Sequence, residues 1–558
     1  MSTTLFAFKK GRFAIVNNRA RPQVQRRLLC QLLGGLLLTI LSSLPADLEA
    51  GTRRYRATWR DNPAKSIVIG FEHFSGSSVR IVYDTKDGGR NPANYRYSAN
   101  PARTVEYHEM RNVFVRINKL QPGTRYYFLV VDDQSVSRRM IFETIHDTPS
   151  RPLSIVAGGD SRNNRETLKA ANRLVSKLRP HFVLFGGDMT NGDSAQEWKE
   201  WLDDWQLTMN SDGRLTPIVP TRGNHERSNR SIYDLFDVAH PDAYYSLSFA
   251  GGLLRTYTLN TLFPPGGEQL NWLQRDLARS KEMWKIAQYH HSMRPHTSSK
   301  PERDELITYW ATLFTKYGVD LVCESDAHTV KQTYPIRPSR EPGASQNFIR
   351  DDRRGTVYVG EGCWGAPLRI NDDAKPWTRA SAKFNQFKWI WLDLRQMQVR
   401  TVRIDRSSSM AGEENGYLNR FRSPPGFYFW DAENTGDVLR IPRRLPETEP
   451  GTVRPGTSAP PNLAGGRQTP VIQSTSRLPV LNRDAANRIR VGFQMPSAGT
   501  PFLLIQDESL KSLWRKELSV RGPGPYSELV QLPPLPRGQR LELVVYGGDR
   551  IVAKYEVK

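Results

Sequence analysis

Cysteine is almost missing from this chain, with three in 558 residues, at Cys30, Cys323 and Cys363. So few, with no paired spacing, exclude a disulfide-built scaffold and a cysteine-ligated zinc site. Cys323 and Cys363 could pair in an oxidising compartment, but two buried free thiols are the preferred reading. Long apolar runs are absent after residue 50, so nothing there reads as a membrane span. Runs of cations are absent too. The formal charge is +22, yet the surplus is dispersed, which gives a weak bias toward anionic partners and no expectation of nucleic acid. No internal repeat of fixed period is found.

What is present begins with a targeting pattern. Arg26 and Arg27 precede an apolar run from Leu28 to Leu44, followed by Pro45, Ala46 and a small-residue end at Ala50. That order reads as a secretory signal over residues 1–50, and a secreted or periplasmic protein. The alternative is an uncleaved anchor, since the run is near the lower limit of about 17 residues for a spanning helix. Its two glycines weaken it, and cleavage near residues 47–51 is expected. Residues 1–50 carry a net +5, so removing them leaves the mature chain at +17.

The remaining length is too great for one core. Residues 51–148 hold short β-type stretches (SIVIGFEHF, SVRIVYDT, NVFVRINKL, RYYFLVVDD, RRMIFETI) at the spacing of a β-sandwich. Over residues 152–405 the texture becomes strand, Gly- and Asp-rich loop, then helical period, which predicts an α/β layered domain. ETLKAANRLVSKL and SAQEWKEWLDDWQLTM are the expected helices. Residues 406–476 read as a Pro/Gly/Ser-rich linker, with FYFWDAE as an apolar interruption that could dock on the catalytic layer. Residues 477–558 read as a small β-rich domain.

The chemistry concentrates at successive predicted strand ends. Asp160 stands in GGDSR, Asp188 in GGDMTNGD, Asn224 and His225 in GNHE, His290 in YHHS, and Asp326 and His328 in SDAH. These are oxygen and imidazole donors of the kind hard or borderline divalent cations take. Any one of them is weak as a signal. The ordered series is strong, because spacing, order and strand context coincide.

This series resembles the calcineurin-like metallophosphoesterases, and within them purple acid phosphatases. LQPGTRYYFLV (Leu120 to Val130) resembles the fibronectin-type module that precedes their catalytic domain. GTVYVGEGCWGAP (Gly355 to Pro367) resembles the strand and Gly-rich turn after the last ligand motif. The resemblance implies an αββα sandwich holding two divalent metal ions (Mn, Zn or Fe) and acting on a small phosphate-ester substrate. It implies that Asp188 bridges, that Asp160 and His328 hold one metal, and that Asn224, His290 and Asp326 hold the other. It leaves His225 as an unligated catalytic histidine, with Arg162 and His296 in the pocket and Arg222 and Arg294 as further phosphate contacts. His291 becomes a neighbour of the ligands, although the order of the His pair could be reversed. The chain departs from the family in three places. Arg162 stands where a second ligand His is usual, Asn191 where a Tyr is, and Asp326 where the first His of GHxH is. Asn191 argues against a ferric–tyrosinate centre. The leading expectation is an exported phosphomonoesterase; the alternatives are a phosphodiesterase and a degenerate module that binds an anion or envelope component without turnover.

Overall fold

The computed structural model describes residues 51–407, 419–432 and 435–444, together with the strands between 480 and 557. The expected signal over 1–50 and, within the expected linker 406–476, residues 408–418, 433–434 and 445–476 lie outside the described residues. Among the described residues no helix is long and apolar enough to cross a membrane. The chain divides into two compact units, Met1–Thr448 and Glu449–Lys558.

The first unit opens with two four-stranded antiparallel sheets. One runs Thr52–Thr58, Ile67–His73, Met110–Ile117, Arg103–Tyr107; the other runs Tyr97–Ala99, Arg80–Asp84, Arg125–Val131, Met140–Glu143. All five stretches read as strands from sequence are strands here. Thr52–Thr58 was not anticipated, because Arg53, Arg54 and Arg56 hide its pattern. Arg56 is buried, and its guanidinium bonds Leu235 O and Asn112 Oδ1. Trp59, just past this strand, packs edge-on against Phe182 and Phe249, with ring centroids 5.9 and 5.6 Å away. The two domains therefore share one hydrophobic cluster.

The α/β part is a helix–sheet–sheet–helix sandwich. Its first sheet runs Ile218–Pro220, Phe182–Phe185, Leu153–Gly158, Gln386–Leu392, Gln396–Arg403, Val438–Pro442. The second runs Tyr245–Phe249, Leu254–Thr258, Trp284–His291, Leu321–Ser325, Val357–Gly360, Val330–Thr333, Thr378–Ala382. Parallel strands buried on both faces need apolar residues at every position, divided by period two. In the second sheet Ile286, Leu321, Cys323, Val357 and Val359 face the core shared with the first. Ala287, Tyr289, Val322 and Tyr358 face the outer cluster with Leu273, Trp310 and Phe314. Helices Arg165–Leu178 and Ala195–Trp205 cover the other side, the latter closed by a Ser194–Glu197 capping box.

The sheet corrects the expected end of the α/β layers. It continues past Asp405, since Val438–Pro442 pairs with Gln396–Arg403 as its edge strand. Leu439 and Ile441 supply a two-residue apolar alternation too short to stand out among Pro and Gly. The FYFWDAE stretch docks as expected: Trp430 N–H bonds Thr401 O at 2.9 Å, and Phe427 and Phe429 pack against the core. Cys323 and Cys363 are buried free thiols.

The second unit holds a sheet ordered Val480–Leu481, Arg550–Val557, Leu541–Gly547, Pro501–Asp507, Ser512–Glu517, and a pair, Arg488–Met495 with Gly524–Gln531. Ile489, Val491, Leu503, Ile505, Leu543 and Val545 form its own core.

Candidate metal centre

The donor residues stand at carboxyl ends of parallel strands from both sheets. Asp160 follows Leu153–Gly158, Asp188 follows Phe182–Phe185, Asn224 follows Ile218–Pro220, and Asp326 follows Leu321–Ser325, while His290 and His291 end their own strand. Crevices outside such ends are where α/β sheets bind ligands. The turns are tight. Asp160, Asp188, Asp326 and His328 have φ of 60°, 53°, 68° and 55°, a left-handed conformation that costs about 1 kcal/mol or more at each. Two glycines let backbone crowd the carboxylates. A Cβ on Gly362 would stand 2.2 Å from Asp160 Oδ2, and one on Gly223 2.3 Å from Asp188 Oδ1.

Two groups of donor atoms result, each lying within 4.8 Å of one another: Asp160, Asp188 and His328, and His290, His291 and Asp326. Asp188 Oδ1 is 3.3 Å from His290 Nε2, and Asp326 N–H bonds Asp160 Oδ2 at 3.0 Å, so the groups adjoin. Asn224 Oδ1 is 3.0 Å from His290 Nε2. His291, expected outside the ligand set, thus stands within the second group.

The donor set fits a cation. His290 Nδ1 donates to Gly186 O at 2.9 Å and His328 Nδ1 to Pro367 O at 2.8 Å. Carbonyls only accept, so both rings turn Nε2 inward, and such outer hydrogen bonds orient metal-ligating histidines. Each inward nitrogen faces oxygen acceptors: Asp188, Asn224 and Asp326 around His290, and Asp160 beside His328. Acceptors converging on an imidazole nitrogen in a buried site need a positive charge among them. A proton or a divalent cation supplies it. Burial works against the His290 imidazolium, but Asp188 and Asp160 outweigh it and push the ring up to about 10. Burial likewise opposes the Asp188 carboxylate, and the His290 charge holds it well below the usual range. A divalent cation does the same work by displacing that proton. His291, desolvated and beside His290, is pushed down to about 3 and so carries a neutral ring.

Cations ring the carboxylates. Arg162 Nε and Nη2 reach Asp188 Oδ2 at 3.2 and 3.1 Å. Lys300 Nζ pairs with Asp326 Oδ1, and Arg369 Nη1 donates to Asp326 O at 2.7 Å. His225 is partly exposed; its Nδ1 donates to Asn191 O and its Nε2 lies 3.8 Å from Asp188 Oδ2. The main chain of Asn191 thereby orients the histidine.

Three expected pocket groups are placed elsewhere. Arg222 bonds Glu226 O and Asn229 Oδ1, and buried Arg294 bonds Gln346 O and Asp304. Both brace loops beside the motifs, because backbone carbonyls there need donors. His296 is fully buried and bonds Thr378 Oγ1 at 2.7 Å, while its main-chain N–H bonds Glu361. Glu361 belongs to a buried network in which Lys331 Nζ reaches Glu361 Oε1 at 2.6 Å and Glu324 Oε2 at 2.5 Å. His296 thus supports the floor of the site rather than reaching into it.

Sequence reasoning passed over Lys300 and Arg369, which carry no local motif, and Glu226, which lies inside GNHE. Glu226 accepts main-chain N–H bonds from Asp188, Met189 and Gly223 at 2.9, 2.7 and 2.6 Å. It clamps the second ligand loop to the third.

Residues 145–331 match the family model for calcineurin-like phosphoesterases. An uncharacterised protein of Mycobacterium tuberculosis is 27% identical over 335 residues, covering 48% of this chain and 62% of that one. The chain thus spans about three fifths of that relative. Human acid phosphatase type 7 is 23% identical over 302 residues, covering 48% of this chain and 68% of that protein. The solved structure of a purple acid phosphatase from yellow lupin seeds superposes with a TM-score of 0.55 at 15% identity, covering 71% of this chain and 75% of that one. The chain therefore carries a calcineurin-like phosphoesterase domain in a fold it shares with purple acid phosphatases.

Proposed function

We propose that this protein is an exported, dinuclear-metal hydrolase of phosphate esters, with monoesters favoured over diesters. The observation that carries the reading is the convergence of two His/Asp groups on Asp188, the carboxylate that both adjoin. Its relatives include proteins named acid phosphatase. Two divalent cations, Mn, Zn or Fe(II), held by Asp160, Asp188, Asn224, His290, Asp326 and His328, would supply Lewis acidity toward the phosphoryl group and its attacking water.

The chain's own residues do the rest. His290 and His328 hold Nε2 inward through their Nδ1 bonds to carbonyls. Arg162, Lys300 and Arg369 give the rim a positive field for an anionic substrate. Their present partners are the carboxylates and carbonyl they would share with a phosphate. His225, oriented through Nδ1 by Asn191 O, turns Nε2 to the centre and donates a proton to the leaving oxygen.

A second reading, an anion-binding module without turnover, draws on the same cations, since Arg162 and Lys300 already neutralise Asp188 and Asp326. Metal analysis with turnover of an aryl phosphate and a bis-aryl phosphate separates the two. Hydrolysis that Asp188→Ala lowers at least about a thousandfold, with loss of bound metal, is the expected result. Wild type and variant equally inactive across both esters would establish the binding module. N-terminal sequencing of the extracytoplasmic protein tests export; an intact residue 1 there counts against cleavage.

A further inference from the structure

Away from the metal centre, a half-open cavity of about 400 Å³ is lined by Arg125, Glu143, Arg151, His181, Arg420 and Phe421, among others. It lies where the N-terminal sandwich, the α/β layers and the chain at 419–421 meet. Its charge is unbalanced. Glu143 is the carboxylate on this wall, and its oxygens are occupied: Oε1 accepts from Arg125 Nε and Nη2 at 3.1 and 2.9 Å. Oε2 accepts from Arg214 Nε at 2.9 Å and Arg420 Nη2 at 2.8 Å. A carboxylate offers about four lone-pair sites, so Glu143 has no room for another donor. Arg125 meets Glu143 through Nε and Nη2 and Arg420 through Nη2, so each has further N–H groups that do not contact it. Arg151 has no acidic partner among the described residues, and its Nη1 lies over Gly123, 3.4 Å from where a Cβ would stand.

A second observation points the same way. His181 is nine-tenths buried, with 9% of its surface exposed. Its Nδ1 accepts the Ser154 N–H at 3.0 Å and lies 3.2 Å from the Ser154 carbonyl, which accepts the His181 main-chain N–H at 2.7 Å. With Nδ1 acting as acceptor for the Ser154 N–H, the ring proton is on Nε2, a donor with no acceptor among the described residues. Arg125, Arg214 and Arg420 share the one carboxylate of Glu143, and Arg151 adds a fourth cation, so the wall carries a positive surplus that suits a phosphate better than a single carboxylate.

We propose that this cavity is a second, non-catalytic site for a phosphate-bearing small molecule. Arg125, Arg151 and Arg420 take the phosphate oxygens, His181 donates Nε2–H, and the Phe421 ring faces the organic part. The volume suits a compact organic phosphate. The proposal stands whether or not the metal centre turns over.

Isothermal titration of the full chain with inorganic phosphate tests it, in the Asp188→Ala background so that the metal centre does not contribute. One site is expected, and adding Arg151→Glu should weaken it at least tenfold without moving the Tm, because Arg151 is exposed. The milder Arg151→Gln should weaken it about threefold. Acetate should give no heat at the same concentrations. Phosphate binding that vanishes with Asp188→Ala alone, or ignores Arg151→Glu, overturns the proposal. Acetate binding as tightly as phosphate overturns the phosphate assignment.

Discussion

Asp188 sits in a left-handed turn with no exposed surface, contacted by Arg162, His290 and the His225 main chain. Strain and burial together are tolerable because every oxygen has a charged or N–H partner. The rim cations differ from it in being partly exposed, so they can exchange partners. Lys300→Gln keeps a polar side chain but removes the charge beside Asp326. It should raise KM for an aryl phosphate about tenfold and change kcat less than about threefold, as steady-state kinetics would show. At the same scale, Asn191 bears on colour. It offers no phenolate, so the metal-loaded protein should lack the visible charge-transfer band of a ferric–tyrosinate pair, and a purple protein would refute the oxygen and imidazole ligand set.

At the scale of elements, the site is a set of strand ends held in register by buried side chains. Glu226 is the clearest, with three main-chain N–H bonds joining two ligand loops. Glu226→Gln turns an amide N–H₂ toward those donors. It should cost about 1–3 kcal/mol of stability and weaken metal affinity about tenfold or more, measurable by denaturant unfolding and by metal titration. Glu226→Ala should do more. The strands of the metal centre were legible in sequence because buried parallel strands are near-continuous apolar runs, here ending in Gly and Asp. Thr52–Thr58 and Val438–Pro442 were not. The first has buried arginines that bond carbonyls and side-chain oxygens of other segments, and the second is an edge strand with two buried apolar residues.

Across the whole molecule, charge buried in the core makes stability depend on pH. Lys388 is buried between the two sheets, bonded to Thr401 Oγ1 at 3.0 Å. Desolvation pushes its ammonium down to about 7, against about 10.4 in the unfolded chain. Between those values the unfolded chain holds a proton that the folded chain does not, so this group's contribution to stability rises with pH across the window. The destabilisation is largest at and below pH 7 and fades toward pH 10. Lys388→Met should therefore stabilise, with a larger gain in Tm at pH 6.5 than at pH 9.5. An equal gain at both would show that the fold does not lower the pKa of the amine. The interface between sandwich and α/β layers rests on aromatic packing. Trp59→Ala should cost about 3–5 kcal/mol, read as an earlier transition in thermal unfolding.

By itself the sequence determined the order of the elements and the chemistry of the centre. Strand periodicity, Gly-Asp turns and the run from Asp160 to His328 are local patterns, set by backbone sterics and donor type within a few residues. The tertiary structure decided which cations meet that chemistry. Lys300 and Arg369 reach Asp326 across 26 and 43 residues of chain, while Arg222 and Arg294, adjacent to the motifs, turn away to satisfy carbonyls. It also placed His291 among the donors and buried His296 beside Glu361. Long, flexible side chains take their partners from whatever the fold brings near, and no local spacing encodes that choice.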